Sequence, residues 1–291
     1  MSLGAAVIAM NDKKRAQMAT VRALAEGRGV EILAHFYQRA EIKAVADFVG
    51  GSYEVVERAL AAAPGRRILV CGASFMVEAI LAGRPRAEIW TPRTDLACPL
   101  AEAVSPEEVR EARGRFPEAL VVVDLKARPE IRALADLEIS PATAGDQLAR
   151  LGGASILALP GAHLVDWAGF GAQVAWRWPR AVCQVHELAT AEDLAEARER
   201  CPGALVAVNL LCRPEVRAAA DFVGDGAGLS RFCAETPPRD FIVVSEAGLA
   251  EYLTSAWPER NFYETEAEIY CPNMKLTNLK AVIDRLSSIP E

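Results

Sequence analysis

VDLKARPEIRALADLEIS, residues 123–140, is one of three copies of a single pattern, and reading it as a repeat decides the fold. The other copies are AHFYQRAEIKAVADFVGG at residues 34–51 and VNLLCRPEVRAAADFVGD at residues 208–225. Each has an apolar lead-in, then Arg, Ala or Pro, Glu, a branched aliphatic, a basic residue, Ala, and finally Ala-Asp. The lead-in is strand-like, and the following stretch has the capped, Ala-rich character of a short helix. Only the opening residues change from copy to copy.

The second and third copies extend backwards in register. CPLAEAVSPEEVREARGRFPEALVVVDL begins at Cys98 and CQVHELATAEDLAEARERCPGALVAVNL at Cys183. Both read as a Ser/Thr-type cap, acidic residues in the first turn, an Ala/Glu/Arg helix and a buried strand. Forwards, the copies continue into RILVCG, SILALP and FIVVSE. A short helix then carries Glu78, Asp166 or Glu251, and each copy closes on a cysteine: Cys98, Cys183 or Cys271. Alternating strands and helices with parallel crossovers imply α/β layered units. The expected architecture is α/β: three pseudo-threefold-related three-layer αβα domains around a central cleft, over residues 1–98, 99–183 and 184–291. The last includes a C-terminal helix.

Ligands of open parallel sheets bind beyond the carboxyl ends of the strands. The three first strands end on His35, Asp124 and Asn209, followed two positions later by Tyr37, Lys126 and Leu211. These are the candidate site residues on the variable part of the repeat.

Bulk properties narrow the partners. A net charge of −7 over 291 residues argues against nucleic acid and against an anionic membrane surface. No apolar run approaches the roughly 20 residues of a membrane span. The first residues, MSLGAAVIAMNDKKR, put no basic segment before their apolar run, so a cytoplasmic protein acting on a small molecule is expected. In that compartment the 7 cysteines are thiols or metal ligands rather than disulfides. No C-x-x-C pair occurs, so any metal ligands come from distant parts of the chain. Cys98, Cys183 and Cys271 occupy equal phase in the three repeats and are expected to meet on the threefold axis. Three thiolates without a fourth protein ligand suit a [4Fe–4S] cluster with one open iron, or a three-cysteine zinc site. Cys71, Cys201, Cys212 and Cys233 have no counterparts and read as buried thiols.

These features, from ILAHFYQ to CPNMK, resemble the quinolinate synthase family over nearly the whole chain. Matching pieces are AHFYQ, ADFVGGS, FMVE and the three cysteine segments CPLA, CQVHE and CPNMK. The resemblance implies three α/β domains, a [4Fe–4S] cluster on three cysteines, and condensation of iminoaspartate with dihydroxyacetone phosphate to quinolinate, a precursor of NAD. Tyr37 and His35 are the expected proton relay and His186, beside Cys183, a second polar contact in catalysis; Ser52, retained from the pattern, is an expected substrate contact.

The chain also departs from the family pattern. The family's His-Pro-Glu-Cys reads Asn209-Leu210-Leu211-Cys212, which places Leu211 where a catalytic carboxylate is expected. Tyr-Val-Asn reads Asp124-Leu125-Lys126, Thr-Ser-Ser reads Ser140-Pro141-Ala142, and Gly-Ser-Thr reads Gly224-Asp225-Gly226. Ser140, Asp124, Lys126, Asn209 and Asp225 are therefore expected to contact a substrate other than the standard pair. The expected activity is a lyase- or transferase-type dehydration or condensation, with iron as Lewis acid. A divergent quinolinate synthase is the second reading, and an iron–sulfur sensor without catalysis the third. His163 is open to a structural role as much as to a functional one.

Overall fold

Continuous apolar strands, buried on both faces, set the architecture. The computed structural model describes residues 12–141, 143–160, 171–237 and 239–290. In the first repeat, β1 (Val30–His35), β2 (Phe48–Gly50), β3 (Arg67–Cys71) and β4 (Glu88–Trp90) form a parallel sheet in the order β2-β1-β3-β4. The second repeat uses β5 (Leu120–Asp124), β6 (Leu137–Ile139), β7 (Ser155–Leu159) and β8 (Gln173–Arg177) in the order β6-β5-β7-β8. The third uses β9 (Leu205–Asn209), β10 (Phe222–Gly224), β11 (Phe241–Val244) and β12 (Phe262–Tyr263) in the order β10-β9-β11-β12. Three identical strand orders mean three copies of one unit. His163, Asp166 and Ala142 lie outside the described residues.

In each sheet the first strand lies between the second and third, so the strand order reverses there and opens a crevice at the carboxyl ends. Register puts His35 opposite Gly50, Asp124 opposite Ile139, and Asn209 opposite Gly224. Side-chain alternation splits the first repeat's core in two. Leu33, Ile68 and Val70 pack with helices Ser52–Ala61 and Ser74–Gly83 on one face. Ile32, Ala34, Leu69 and Cys71 pack on the other with helix Asp12–Gly27. Leu279, Val282 and Leu286 of the C-terminal helix Leu279–Ser288 join that second face, so the chain's end covers the first repeat.

The aspartate closing each repeated stretch has one structural task. Asp47, Asp136 and Asp221 each place Oδ2 2.8 Å from the main-chain N–H of Ile32, Val121 and Val206 respectively. Their own N–H groups donate back to the carbonyls of those same three residues. A two-point clamp therefore ties each short helix to its first strand. The long helices begin as their sequence signals: Ser105 with Glu108, and Thr190 with Asp193, form reciprocal capping boxes.

Candidate active site

All three cysteines expected on the axis line one cavity of about 110 Å³. Each starts a single helical turn of the same construction. Glu102, Glu187 and Lys275 donate their N–H groups to the carbonyls of Cys98, Cys183 and Cys271, and Ala103, Leu188 and Leu276 donate to Leu100, Val185 and Asn273. The next free N–H groups turn to the sulfurs: Leu100 and Ala101 to Cys98, Val185 and His186 to Cys183, Asn273 and Met274 to Cys271. Burial pushes all three thiols up, Cys183 to about 12, while these N–H groups pull the other way. Paired amides at the start of a helical turn stabilise thiolate over thiol. Cys98 also raises both Cys183 and Cys271 electrostatically, and Cys271 raises Cys183, a mark of their proximity.

The donor set fits a thiolate-ligated cluster. Three soft sulfurs ring the cavity, each prepared for negative charge by two amides. Among the described residues, no three His, Cys, Asp or Glu side chains close on one point as a single metal ion requires. Cys212, which ends the Asn209–Cys212 segment, is not on the cavity wall: its thiol is buried and donates to the Val244 carbonyl at 3.6 Å.

The variable strand ends share a device that their side chains conceal. His35 Nδ1 accepts from the Tyr37 N–H at 3.1 Å, Asp124 Oδ1 from Lys126 at 2.8 Å, and Asn209 Oδ1 from Leu211 at 3.0 Å. The position requires an acceptor two residues before an otherwise orphan N–H, and His, Asp and Asn each supply one. What the rest of the side chain does is free to vary.

For His35, an accepting Nδ1 leaves the proton on Nε2, which lies 3.2 Å from Ser52 Oγ. Burial, reinforced by Lys275, Lys126 and Lys43, pulls its pKa to about 3, so the ring is neutral. Ser52 then accepts from His35 and keeps its hydroxyl proton for the cavity. For Asn209, an accepting Oδ1 directs Nδ2 at Tyr37 Oη, 3.0 Å, and Ser245 Oγ, 3.2 Å. Tyr37 Oη in turn lies 3.3 Å from His186 Nε2 and from Ser245 Oγ, and His186 Nδ1 lies 3.2 Å from Cys183 Sγ. Burial raises the Tyr37 pKa well above the phenol range and lowers that of His186 to about 3. Tyr37 is therefore a neutral hydroxyl held by a fixed donor.

For Asp124 the second oxygen binds Lys126 Nζ at 2.8 Å, with the carboxylate fully buried and the ammonium on the cavity wall. Lys126 Nζ also stands 5.4 Å from the centre of the Tyr53 ring. Asp124 thus sits behind Lys126, and its effect on the cavity runs through that cation. Among the described lining residues Lys126 is the one Lys or Arg, and Asp225 the one carboxylate. Asp225 Oδ1 caps helix Gly226–Glu235 by accepting from Gly228 N–H at 2.8 Å. Ser140 is not on this wall. It lines a wider outer cleft of about 780 Å³, where Tyr53, Leu210 and Asp225 border both spaces. Leu211 does line the inner cavity.

Sequence reasoning missed Ser245, Tyr53 and the pair Glu246–Lys275. Glu246, fully buried, binds Lys275 Nζ at 2.9 Å, Cys271 N–H at 3.1 Å and Gly248 N–H at 2.7 Å. Lys275 also donates to the Tyr37 carbonyl at 2.7 Å. One buried ion pair therefore joins the Cys271 turn to the Tyr37 loop. Gly248 must be glycine here: a Cβ would lie 2.7 Å from the Phe36 carbonyl oxygen and 2.9 Å from Lys275 Nζ. The dipeptide Ser245-Glu246 at the end of a buried strand was the available signal, by its place in the repeat.

The chain is similar to known proteins over nearly all its length. The family model described as quinolinate synthetase A protein matches residues 19–291. A quinolinate synthase of Thermodesulfovibrio yellowstonii is 33% identical over 270 residues, covering 91% of this chain and 88% of the relative. One from Methanoregula boonei is 34% identical over 264 residues, covering 90% and 87%. One from Thermotoga maritima is 30% identical over 267 residues, covering 91% and 89%.

Proposed function

The chain belongs to the quinolinate synthetase A protein family, and from that premise we propose an iron–sulfur enzyme whose pocket is rebuilt for a substrate other than the standard pair. Cys98, Cys183 and Cys271 would hold a [4Fe–4S] group. Bound to three thiolates, such a group keeps one iron free of protein ligands, which supplies Lewis-acid polarisation of a substrate oxygen.

The chain's own residues supply binding and proton handling. Tyr37, held as an acceptor by Asn209 Nδ2, keeps one hydroxyl proton to share between His186 and a substrate oxygen. His35 donates from Nε2 to Ser52 and so aims the Ser52 proton inward. Lys126 presents a cation to a carboxylate or phosphate of the substrate, and Asp124 behind it fixes its position. Asp225 and Leu211 stand where an anion-binding hydroxyl and a carboxylate are expected from the family pattern. These roles fit loss of water or a condensation on a small polar metabolite.

The observation that carries the different-substrate reading is Leu211 on the cavity wall. An isobutyl group transfers no proton, so a reaction depending on a carboxylate there has lost its acid–base group. The test is anaerobic: reconstitute the protein, supply iminoaspartate and dihydroxyacetone phosphate, and measure quinolinate by chromatography. We expect none above the protein-free control; sustained turnover overturns the reading in favour of a quinolinate synthase. The binding part is tested with malate as a carboxylate probe, read by its perturbation of the visible spectrum. Lys126→Met should raise the malate Kd about tenfold, the worth of one charged hydrogen bond, at unchanged iron content. An unchanged Kd removes Lys126 from substrate recognition.

A further inference from the structure

The arginine of each repeated stretch is constant, and the cavity does not use it. Arg39, Arg128 and Arg213 stand just before the short helices Ala40–Val45, Pro129–Arg132 and Pro214–Ala218. None caps its helix with its side chain. Two of them reach across to a cysteine turn instead. Arg39 Nε donates to the Lys275 carbonyl at 2.6 Å, and Arg213 Nε to the Glu187 carbonyl at 2.7 Å. Lys275 is the fourth residue after Cys271, and Glu187 the fourth after Cys183. In each case the guanidinium of one repeat holds the turn that closes the preceding repeat in the threefold ring, at the residue whose N–H closes the turn on its cysteine.

The third member breaks the rule. Symmetry directs Arg128 to the carbonyl of Glu102, the fourth residue after Cys98, and the Cys98 turn has the same internal hydrogen bonds as the other two. Yet Arg128 Nε is buried with no hydrogen-bond partner. Glu130 Oε2, on its own helix, lies 3.9 Å away, too far for a hydrogen bond. A buried guanidinium N–H without an acceptor is costly, and it sets Arg128 apart from its two counterparts, whose Nε–H groups are both bonded.

We propose that Arg39, Arg128 and Arg213 are positioning residues for the three cysteine turns, and that Arg128 completes the set by taking the Cys98 turn once all three sulfurs are engaged. The inference rests on the iron–sulfur reading above. It makes the repeated arginine part of metal retention rather than of folding alone. Nε is the atom at work in both made contacts, so lysine, which keeps the charge but lacks the planar Nε–H, should not substitute.

The experiment uses the full chain with Arg39→Met, Arg128→Met, Arg128→Lys and Arg213→Met, each reconstituted anaerobically with ferrous iron and sulfide. Three quantities are measured: iron per chain, the rate of bleaching by a ferrous chelator, and the thermal midpoint of the iron-free protein. The expected result is about tenfold faster iron release for Arg213→Met and Arg39→Met, the worth of one charged hydrogen bond. Both Arg128 variants should show the same acceleration with an iron-free midpoint equal to wild type, because that bond is absent without the metal. Wild-type release rates in both Arg128 variants, with iron bound, overturn this inference alone. A lowered iron-free midpoint in the Arg128 variants also overturns it, by assigning the residue to folding. A wild-type chain that takes up no iron overturns the iron–sulfur reading, and this inference with it.

Discussion

The three cysteine turns share one construction down to the second main-chain hydrogen bond. The three strand ends beside the same cavity share only an acceptor and otherwise carry His35 with Tyr37, Asp124 with Lys126, and Asn209 with Leu211. The difference separates two kinds of constraint. A turn that must present a sulfur with two amides behind it tolerates one backbone path, so threefold copies stay alike. A strand end needs an acceptor for one N–H and leaves the remaining atoms to the chemistry of the site. Under the proposed function, constancy marks scaffold and cluster ligands, and variation marks substrate.

The largest expected effect tests the equality of the turns. Cys98→Ala, Cys183→Ala and Cys271→Ala should each take the reconstituted protein from about four irons per chain to none, measured with acid-labile sulfide. Cys71→Ala, Cys201→Ala and Cys233→Ala should keep the full content. A single turn whose cysteine proves dispensable breaks the threefold equivalence.

Next is the place where the two regions are joined. Glu246→Gln keeps the shape of a fully buried side chain but leaves the Lys275 ammonium without its counter-charge. Removing one partner of a buried pair costs about 3–5 kcal/mol, so urea unfolding of the iron-free protein should shift by that amount. A change below 1 kcal/mol, on the scale of an exposed pair, would separate the Cys271 turn from the Tyr37 loop energetically.

The smallest effect sharpens the reading of a strand end. His35 is neutral in the fold, with its pKa lowered from 6.5 to about 3. Between those values the unfolded chain binds a proton that the folded chain does not, so stability rises with pH across the window. The contribution is complete above pH 6.5 and is lost progressively as pH falls towards 3. At pH 5 the loss is about 2 kcal/mol. Urea titrations of the iron-free protein at pH 7.5 and pH 5 should show that extra loss in wild type relative to His35→Gln. Equal losses would mean that His35 is protonated in the fold and that its Nδ1 does not hold the Tyr37 N–H.

The repeat in the amino-acid sequence was enough to establish three parallel α/β units, because hydrophobic periodicity and capping residues are local signals that each copy repeats. Equal phase was enough to single out Cys98, Cys183 and Cys271, and the strand-end rule was enough to bring His35, Tyr37, Lys126 and Asn209 to one cavity. Other assignments waited for tertiary structure, since they depend on which atoms of distant residues meet. Asp124 became the support of Lys126 because its second oxygen is spent on the ammonium. Ser140, just past the end of β6, went to the outer cleft that helix Gly226–Glu235 of the next repeat also lines, and not to the cavity of the cysteines. Glu246 and Lys275 lie 29 positions apart in a stretch of sequence that carries no periodic link between them, and their pairing follows from burial alone. The sequence determined how many units there are and which residues each contributes to the axis. Folding decided which of those residues face the cavity and which stand behind, because a side chain's exposure is set by neighbours that no local pattern names.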